Sequence, residues 1–376
     1  MKRAPVRIFL GTRKGTYVVE ENAGNRRRWK VGPLSHPGSD VFHVVPDPRH
    51  PGTVYANVNS GFWGPMVLRS RNWGRTWSEV ATPLLPRRKD RKPDFGEGTD
   101  SPSLPLTNLW HLEPGSPKEP RTLFLGVDPH ALFRSDDEGQ SWSPVGGIND
   151  HPTRSQWTPG FGGPCLHTIL IDPDDARRMF VGLSAAGMFR TEDGGEHWTP
   201  VNRHVATPYL PQKFPEVGQC VHHVVADAGR RDLFYRQDHG GIYVSRDGMD
   251  SWVRIKKGLP DDFGFAVASP AASPGRAYFV PLNSRTRLTM SGGFQVMEWS
   301  EERRSWRPLM GPQTFPGDFG IHREGLACDS LDPPGIYAGT TTGQLFLSPD
   351  AGKSWQQVPY QFPGIHSVTV SSPRGS

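Results

Sequence analysis

The sequence predicts an all-β, seven-bladed β-propeller, and three observations predict it. An eight-residue phrase recurs along the chain, tryptophans mark it at a near-constant interval, and the C-terminus holds one strand more than its last unit needs. The phrase is Ser or Thr, x, Asp, x, Gly, x, x, Trp. It stands, with variations, at 135–142, 191–198, 245–252 and 348–355, with worn copies at 70–77 and 300–306. A fixed period of this size is the signature of a repeat architecture.

Each copy follows a short apolar run, such as Ala131-Leu132-Phe133 or Ile242-Tyr243-Val244, and precedes a second strand-like piece that begins at the Trp. That is a hairpin whose turn carries an Asp or Asn, usually with a Gly. The carboxylate can accept turn amide hydrogens, Gly takes a backbone shape that other residues resist, and the Trp buries its ring over the hairpin.

Trp77, Trp142, Trp198, Trp252, Trp306 and Trp355 are 65, 56, 54, 54 and 49 residues apart. Trp29, 48 residues before Trp77, marks a seventh unit whose turn is filled by Glu20-Glu21-Asn22-Ala23-Gly24. A four-stranded blade needs roughly 40–50 residues, so these steps leave room for connecting loops and seven blades result. The first unit opens on a second-strand pattern, Arg7-Ile8-Phe9-Leu10-Gly11, and lacks an inner strand. His366-Ser367-Val368-Thr369-Val370 is spare after blade seven, so it is expected to close blade one and remove an open edge.

The phrase resembles the Asp-box, or BNR repeat, and the chain is similar along nearly its whole length to Asp-box β-propellers such as sialidases and sortilin-type receptors. The resemblance implies the fold, with the Asp-box turns on the face away from the active one. It implies little about chemistry.

Composition bounds the rest. A chain of 376 residues with 43 Gly, 38 Pro and 12 Trp suits one all-β domain over residues 1–376. Three cysteines give no disulfide framework. No apolar run reaches membrane-span length, and the N-terminal apolar stretch is too short for a secretory signal, so a cytoplasmic location without membrane partners is expected. The net charge of +5 is spread along the chain, with one dense cluster at 87–92 that reads as a solvated loop. No phosphate-loop or nucleophile-elbow signature occurs, and nucleic acid is not an expected partner.

Function is expected on the face opposite the repeated turns, where the insertions at 82–107, 146–164, 202–219 and 310–321 belong. Aligned on their downstream Asp, Cys165-Leu166-His167 and Cys220-Val221-His222 match position for position. His366 opens its inner strand at a similar point, and the hairpin Gln237-Asp238-His239-Gly240-Gly241 adds a non-repeated histidine. Neutral imidazoles converging on an axis suit zinc, copper or non-haem iron. Carotenoid cleavage oxygenases offer an architectural parallel, with an iron held on a propeller axis. The expected ligands are therefore His167, His222, His239 and His366, with Cys165 and Cys220 as lesser candidates. His43 and His111 lie one step further along, where strand alternation aims them elsewhere. Glu216 and Glu324 are candidate bases or ligand-orienting groups, and Arg323, next to Glu324, is a further catalytic candidate. Arg154, Trp157, Phe161, Phe263, Arg285 and Arg287 are candidate substrate contacts from the same loops.

The leading expectation is thus a metal-dependent enzyme acting on a small molecule or peptide at the channel mouth. A glycosyl hydrolase or glycan binder is the second. Sialidase chemistry needs an arginine clamp, a tyrosine nucleophile and acidic partners, for which Arg154, Arg285, Arg287, Arg323, Tyr209 and Glu216 are available. The Arg-Ile-Pro element typical of sialidases is absent, however, Arg7-Ile8-Phe9 is a poor substitute, and sialidases have six blades. A non-catalytic interaction platform is the third reading, with aromatic loops such as Phe62-Trp63 as anchors.

Overall fold

The computed structural model describes residues 3–22, 24–86, 103–104, 106–158, 160, 163–311 and 313–371. Its strands form seven four-stranded antiparallel sheets, plus a two-stranded ribbon of Leu85–Pro86 with Ser103–Leu104. The inner strands, in ring order, are Ile365–Ser371, Asp40–Pro46, Asn108–Pro114, Leu166–Ile171, Val221–Ala226, Val267–Ala268 and Leu326–Cys328. The basic cluster at 87–92 lies outside the described residues, as does Phe161.

Closure is as expected. Ile365–Ser371 pairs antiparallel with Arg7–Thr12, so the C-terminal strand is the inner strand of blade one. Ile8, Leu10, Ile365 and Val368 then pack with Tyr337, Leu345 and Leu347 of blade seven. Each such side chain contributes roughly 1.5–3 kcal/mol on burial, so the first and last blades share one apolar cluster. Neighbouring blades also approach closely through backbone. A Cβ added at Gly126 would meet the Leu166 carbonyl oxygen of the next inner strand at 2.4 Å, and one at Gly11 would meet that of Val41 at 2.4 Å.

The repeated turns share one hydrogen-bond pattern. In blade three Ser135 Oγ donates to Asp137 Oδ1 (2.8 Å), the Gly139 amide donates to Ser135 Oγ (2.9 Å), and the Ser141 amide donates to Asp137 Oδ1 (2.8 Å). The same bonds recur at Thr191, Asp193 and His197, at Ser245, Asp247 and Ser251, and at Ser348, Asp350 and Ser354. Of the two worn copies, the one at 70–77 keeps them with Asn72 in place of Asp, whereas at 300–306 Ser300 Oγ accepts only from the Arg303 amide (3.3 Å) among the described residues. Two consecutive left-handed residues make the turn, as at Glu138 (φ 61°) and Gly139 (φ 87°), which is why the second position favours glycine.

One feature departs from strict strand alternation. The inner ladders step from Val41 to His43, Leu109 to His111, Leu166 to Thr168 and Val221 to His223 against consecutive partners. Phe42, Trp110, His167 and His222 are therefore inserted residues of four β-bulges at one height, and His366 is the same in blade one. A bulge sets two residues of one strand opposite a single partner and re-aims the side chains that follow.

Candidate functional site

Antiparallel pairing puts the blade-to-blade connections and the hairpins between second and third strands on one face, and the repeated turns on the other. On the loop face two cavities adjoin, of about 430 Å³ and about 370 Å³, sharing Phe265, Arg287 and Arg323 as walls. Four bulge residues, Phe42, Trp110, His167 and His366, line the larger one, and His222 lines the smaller. The residues that follow them, His43, His111, Thr168 and His223, line an axial cavity of about 410 Å³ below. Glu324 borders both the mouth and the axial cavity.

This layering explains where alternation misleads. His43 and His111 do turn away from the mouth, but the bulges return them to the axis, where they meet Glu324. His111 Nδ1 lies 2.5 Å from Glu324 Oε1, and its Nε2 lies 3.2 Å from Glu113 Oε2. The Leu112 amide donates to His43 Nδ1 (3.3 Å), so His43 Nε2 carries the proton and faces Glu324 Oε2 at 3.3 Å. Burial works to lower the His111 pKa, but Glu324 and Glu113 override it and push it up to about 10. Burial works to raise the Glu324 carboxyl, and His43 and His111 override that, bringing it down to about 2. Burial takes His43 down to about 4 against the pull of Glu324. Donor atoms of His43, His111 and Glu324 fall within 4.8 Å of one another. Yet both rings already spend their nitrogens on carboxylates and backbone. The cluster is an ionic network plugging the axis.

A second group has the opposite character. Cys220, His222 and His239 also bring their donor atoms within 4.8 Å of one another. His222 Nδ1 donates to the Gly264 carbonyl (2.5 Å), which fixes the tautomer and leaves the Nε2 lone pair available. Phe265 stacks on the His222 ring at 4.5 Å, and the Phe263 edge contacts both His222 and His239 at 5.5 Å. Tyr209 supports the site: its hydroxyl accepts from the Cys220 amide (2.6 Å), donates to the Gly218 carbonyl (3.0 Å), and its ring meets His239 edge-on. Burial, with Arg323 next, holds His222 well below its ordinary pKa, and burial lowers His239 too. Burial raises the Cys220 thiol, so its thiolate form needs a cation beside it.

The four expected ligands do not converge. His222 and His239 come together with Cys220, which sequence reasoning ranked lower. His167 borders the mouth cavity next to them, with Nδ1 on Thr168 Oγ1 (3.0 Å), but does not belong to the group. His366 stands across the mouth, 3.1 Å from Asp40 and against His322. Cys165, aligned with Cys220 in the repeat, is fully buried. Glu216 is exposed, and its carbonyl accepts from Asn202. Arg154 donates to the His130 carbonyl (2.8 Å) and lies over Trp157, whose indole bonds Thr153. Phe263 is buried and Arg285 is exposed at a hairpin tip. Arg287 and Arg323 border both cavities. Phe42 and Trp110, stacked at 4.5 Å, escaped sequence reasoning. Their one sequence signal is their place beside His43 and His111, matching His222 beside His223.

No family model matches the chain, and no curated protein matches it. Solved structures do. The GH74 enzyme of Niastella koreensis aligns over 93% of this chain and 51% of its own, with TM-score 0.62 and 16% identity. An ancestral GH74 enzyme aligns over 88% of this chain and 38% of its own, with TM-score 0.55 and 15% identity. YCF48 from Cyanidioschyzon merolae aligns over 87% of both chains, with TM-score 0.55 and 15% identity. The chain spans about half the length of the first of these or less. At such identities the likeness is one of fold, the seven-bladed propeller. Among the described residues no helix is long and apolar enough to cross a membrane.

Proposed function

We propose that this chain is a metal-dependent hydrolase of the Asp-box propeller group, acting on a small molecule in the loop-face cleft. Cys220, His222 and His239 are its metal ligands. The observation that carries the reading is the His222 hydrogen bond to the Gly264 carbonyl, which presents a ring lone pair to the group shared with Cys220 and His239. Three protein ligands facing a cavity leave a fourth position open, the pattern of catalytic rather than structural sites. A tetrahedral zinc site needs donor atoms about 3.4–3.6 Å apart, so the three, now within 4.8 Å of one another, have to close by up to about 1.4 Å. One sulfur and two imidazoles suit zinc or copper, and zinc is the choice for hydrolysis. When bound, the ion supplies Lewis acidity and an activated water. Phe263 packs against both imidazoles and Phe265 stacks on His222, Tyr209 holds the Cys220 backbone in place, and Arg323 and Arg287 orient substrate from the wall shared by the two cavities.

Fold neighbours that are GH74 glycoside hydrolases lend the hydrolase class some support. The two-carboxylate form of glycoside hydrolysis has less: Glu324 is the one carboxylate among the described residues lining the two cavities, and it is engaged by histidines. The test is elemental analysis of untagged protein beside His222→Ala, His239→Ala and His167→Ala variants. Near-stoichiometric metal is expected in the wild type and in His167→Ala, and is lost from the other two. Absence of metal after soaking with zinc, copper and ferrous iron, or retention in His222→Ala, overturns the assignment.

A further inference from the structure

Arg323 is a half-buried cation without an ion-pair partner among the described residues. Its Nε is buried without an acceptor. Other arginines withdrawn from water in this molecule are compensated: Arg236 by Asp238 at 2.7 Å, Arg49 by Asp47 at 2.8 Å and Arg178 by Asp172 at 2.9 Å. Arg323 has instead the Trp110 ring, 5.6 Å from its Cζ. Its chain neighbour Glu324 is already engaged by His111 and faced by His43. The residues lining the mouth cavity hold three further buried polar atoms without a hydrogen-bond partner, Trp110 Nε1, His167 Nε2 and Glu324 Oε2, the last facing His43 Nε2 at 3.3 Å. A desolvated charge without a partner is unfavourable, and the indole N–H can only donate. What Arg323 Nε and Trp110 Nε1 lack is an acceptor, because the Glu324 carboxylate is turned to the histidines.

We infer that the mouth cavity binds a compact oxyanion, a carboxylate or a phosphate, carried on a molecule with a flat apolar part. The anion seats on Arg323, and the apolar part lies against Phe42, Trp110 and Phe265. Arg323 and Phe265 also wall the cavity of Cys220, His222 and His239, so a molecule anchored here extends toward that group. The inference rests on the proposed hydrolase only in making this molecule its substrate; the anion site itself needs no metal.

The experiment is calorimetric titration of chelator-treated protein with benzoate, phenyl phosphate and benzamide, in wild type and Arg323→Gln, with melting temperatures of both. At least one of the two anions is expected to bind, benzamide at least tenfold more weakly, and the Arg323→Gln change is expected to lower anion affinity by tenfold or more. Whichever anion binds tighter names the headgroup. Because Arg323 has no ion-pair partner among the described residues, Arg323→Gln is expected to melt no lower than the wild type. Benzamide binding as tightly as the anions, undiminished anion binding by Arg323→Gln, no binding of either anion, or a markedly lower melting temperature overturns the inference. Since the titration is metal-free, a protein that binds anions but holds no metal retains this site and loses only the metal reading.

Discussion

Replacing His111 by glutamine removes the imidazolium from between Glu324 and Glu113, and the structure sets the scale of the loss. The Glu324 side chain is 13% exposed, whereas that of Glu113 is 35% exposed and can turn to water. The loss therefore falls mainly on Glu324, which becomes a buried carboxylate with only the largely neutral His43 and His223 beside it. Removing one partner of a buried pair costs about 3–5 kcal/mol, and the lower half of that range is expected here at pH 7. The double variant His111→Gln/Glu324→Gln leaves neutral groups, and is expected to lie within about 1.5 kcal/mol of the wild type. Denaturant unfolding at pH 7 measures both. The pH profile gives an independent check. His111 is raised above its unfolded value, so its contribution is complete below about pH 6.5 and fades as pH climbs toward 10. His43 is lowered to about 4, so the unfolded chain gains a proton first and stability drops as pH falls from 6.5 to 4. Wild-type stability should peak near pH 6.5, and His111→Gln should flatten the alkaline limb. A single variant within about 1 kcal/mol of wild type, or a double no better than the single, would refute the ionic-network reading.

Two further outcomes follow from the fold. Val368→Asp places a carboxylate in the cluster joining blades one and seven, where Val368 is 2% exposed; a loss of more than about 4 kcal/mol is expected, with proteolysis beginning at the C-terminal strand. Asp137→Ala removes three hydrogen bonds of one repeated turn but leaves the other turns intact, so a loss of about 1–3 kcal/mol by thermal melting is expected, with the cleft's ligand binding unchanged.

The legibility of this chain divides along the range of its interactions. The repeated turn was readable because it is closed by bonds between residues two and four apart, as Ser135, Asp137 and Ser141 show. Blade number followed from tryptophan spacing, and closure followed from counting strands. The loop face was readable too, since antiparallel pairing dictates which connections lie together. Two of the grouped residues, His222 and His239, stood out because one repeats with Cys220 and the other does not. Repetition also misled, by treating Cys165 and His167 as equivalents of Cys220 and His222. What separates them is outside the repeat: the Gly264 carbonyl and Phe265 of the following blade lie beside His222.

The sequence by itself determined the seven hairpin units, their closure and the face that gathers the histidines, because each depends on neighbours along the chain or on the strand order. The tertiary structure decided which histidines meet. Five inner-strand bulges, invisible to a period-two pattern, put Phe42, Trp110, His167, His222 and His366 at the mouth. The residues after them in blades two to five, His43, His111, Thr168 and His223, line the channel below. Whether a histidine offers a lone pair or a proton then depends on a carbonyl or carboxylate from another blade, hundreds of residues distant in the case of His111 and Glu324.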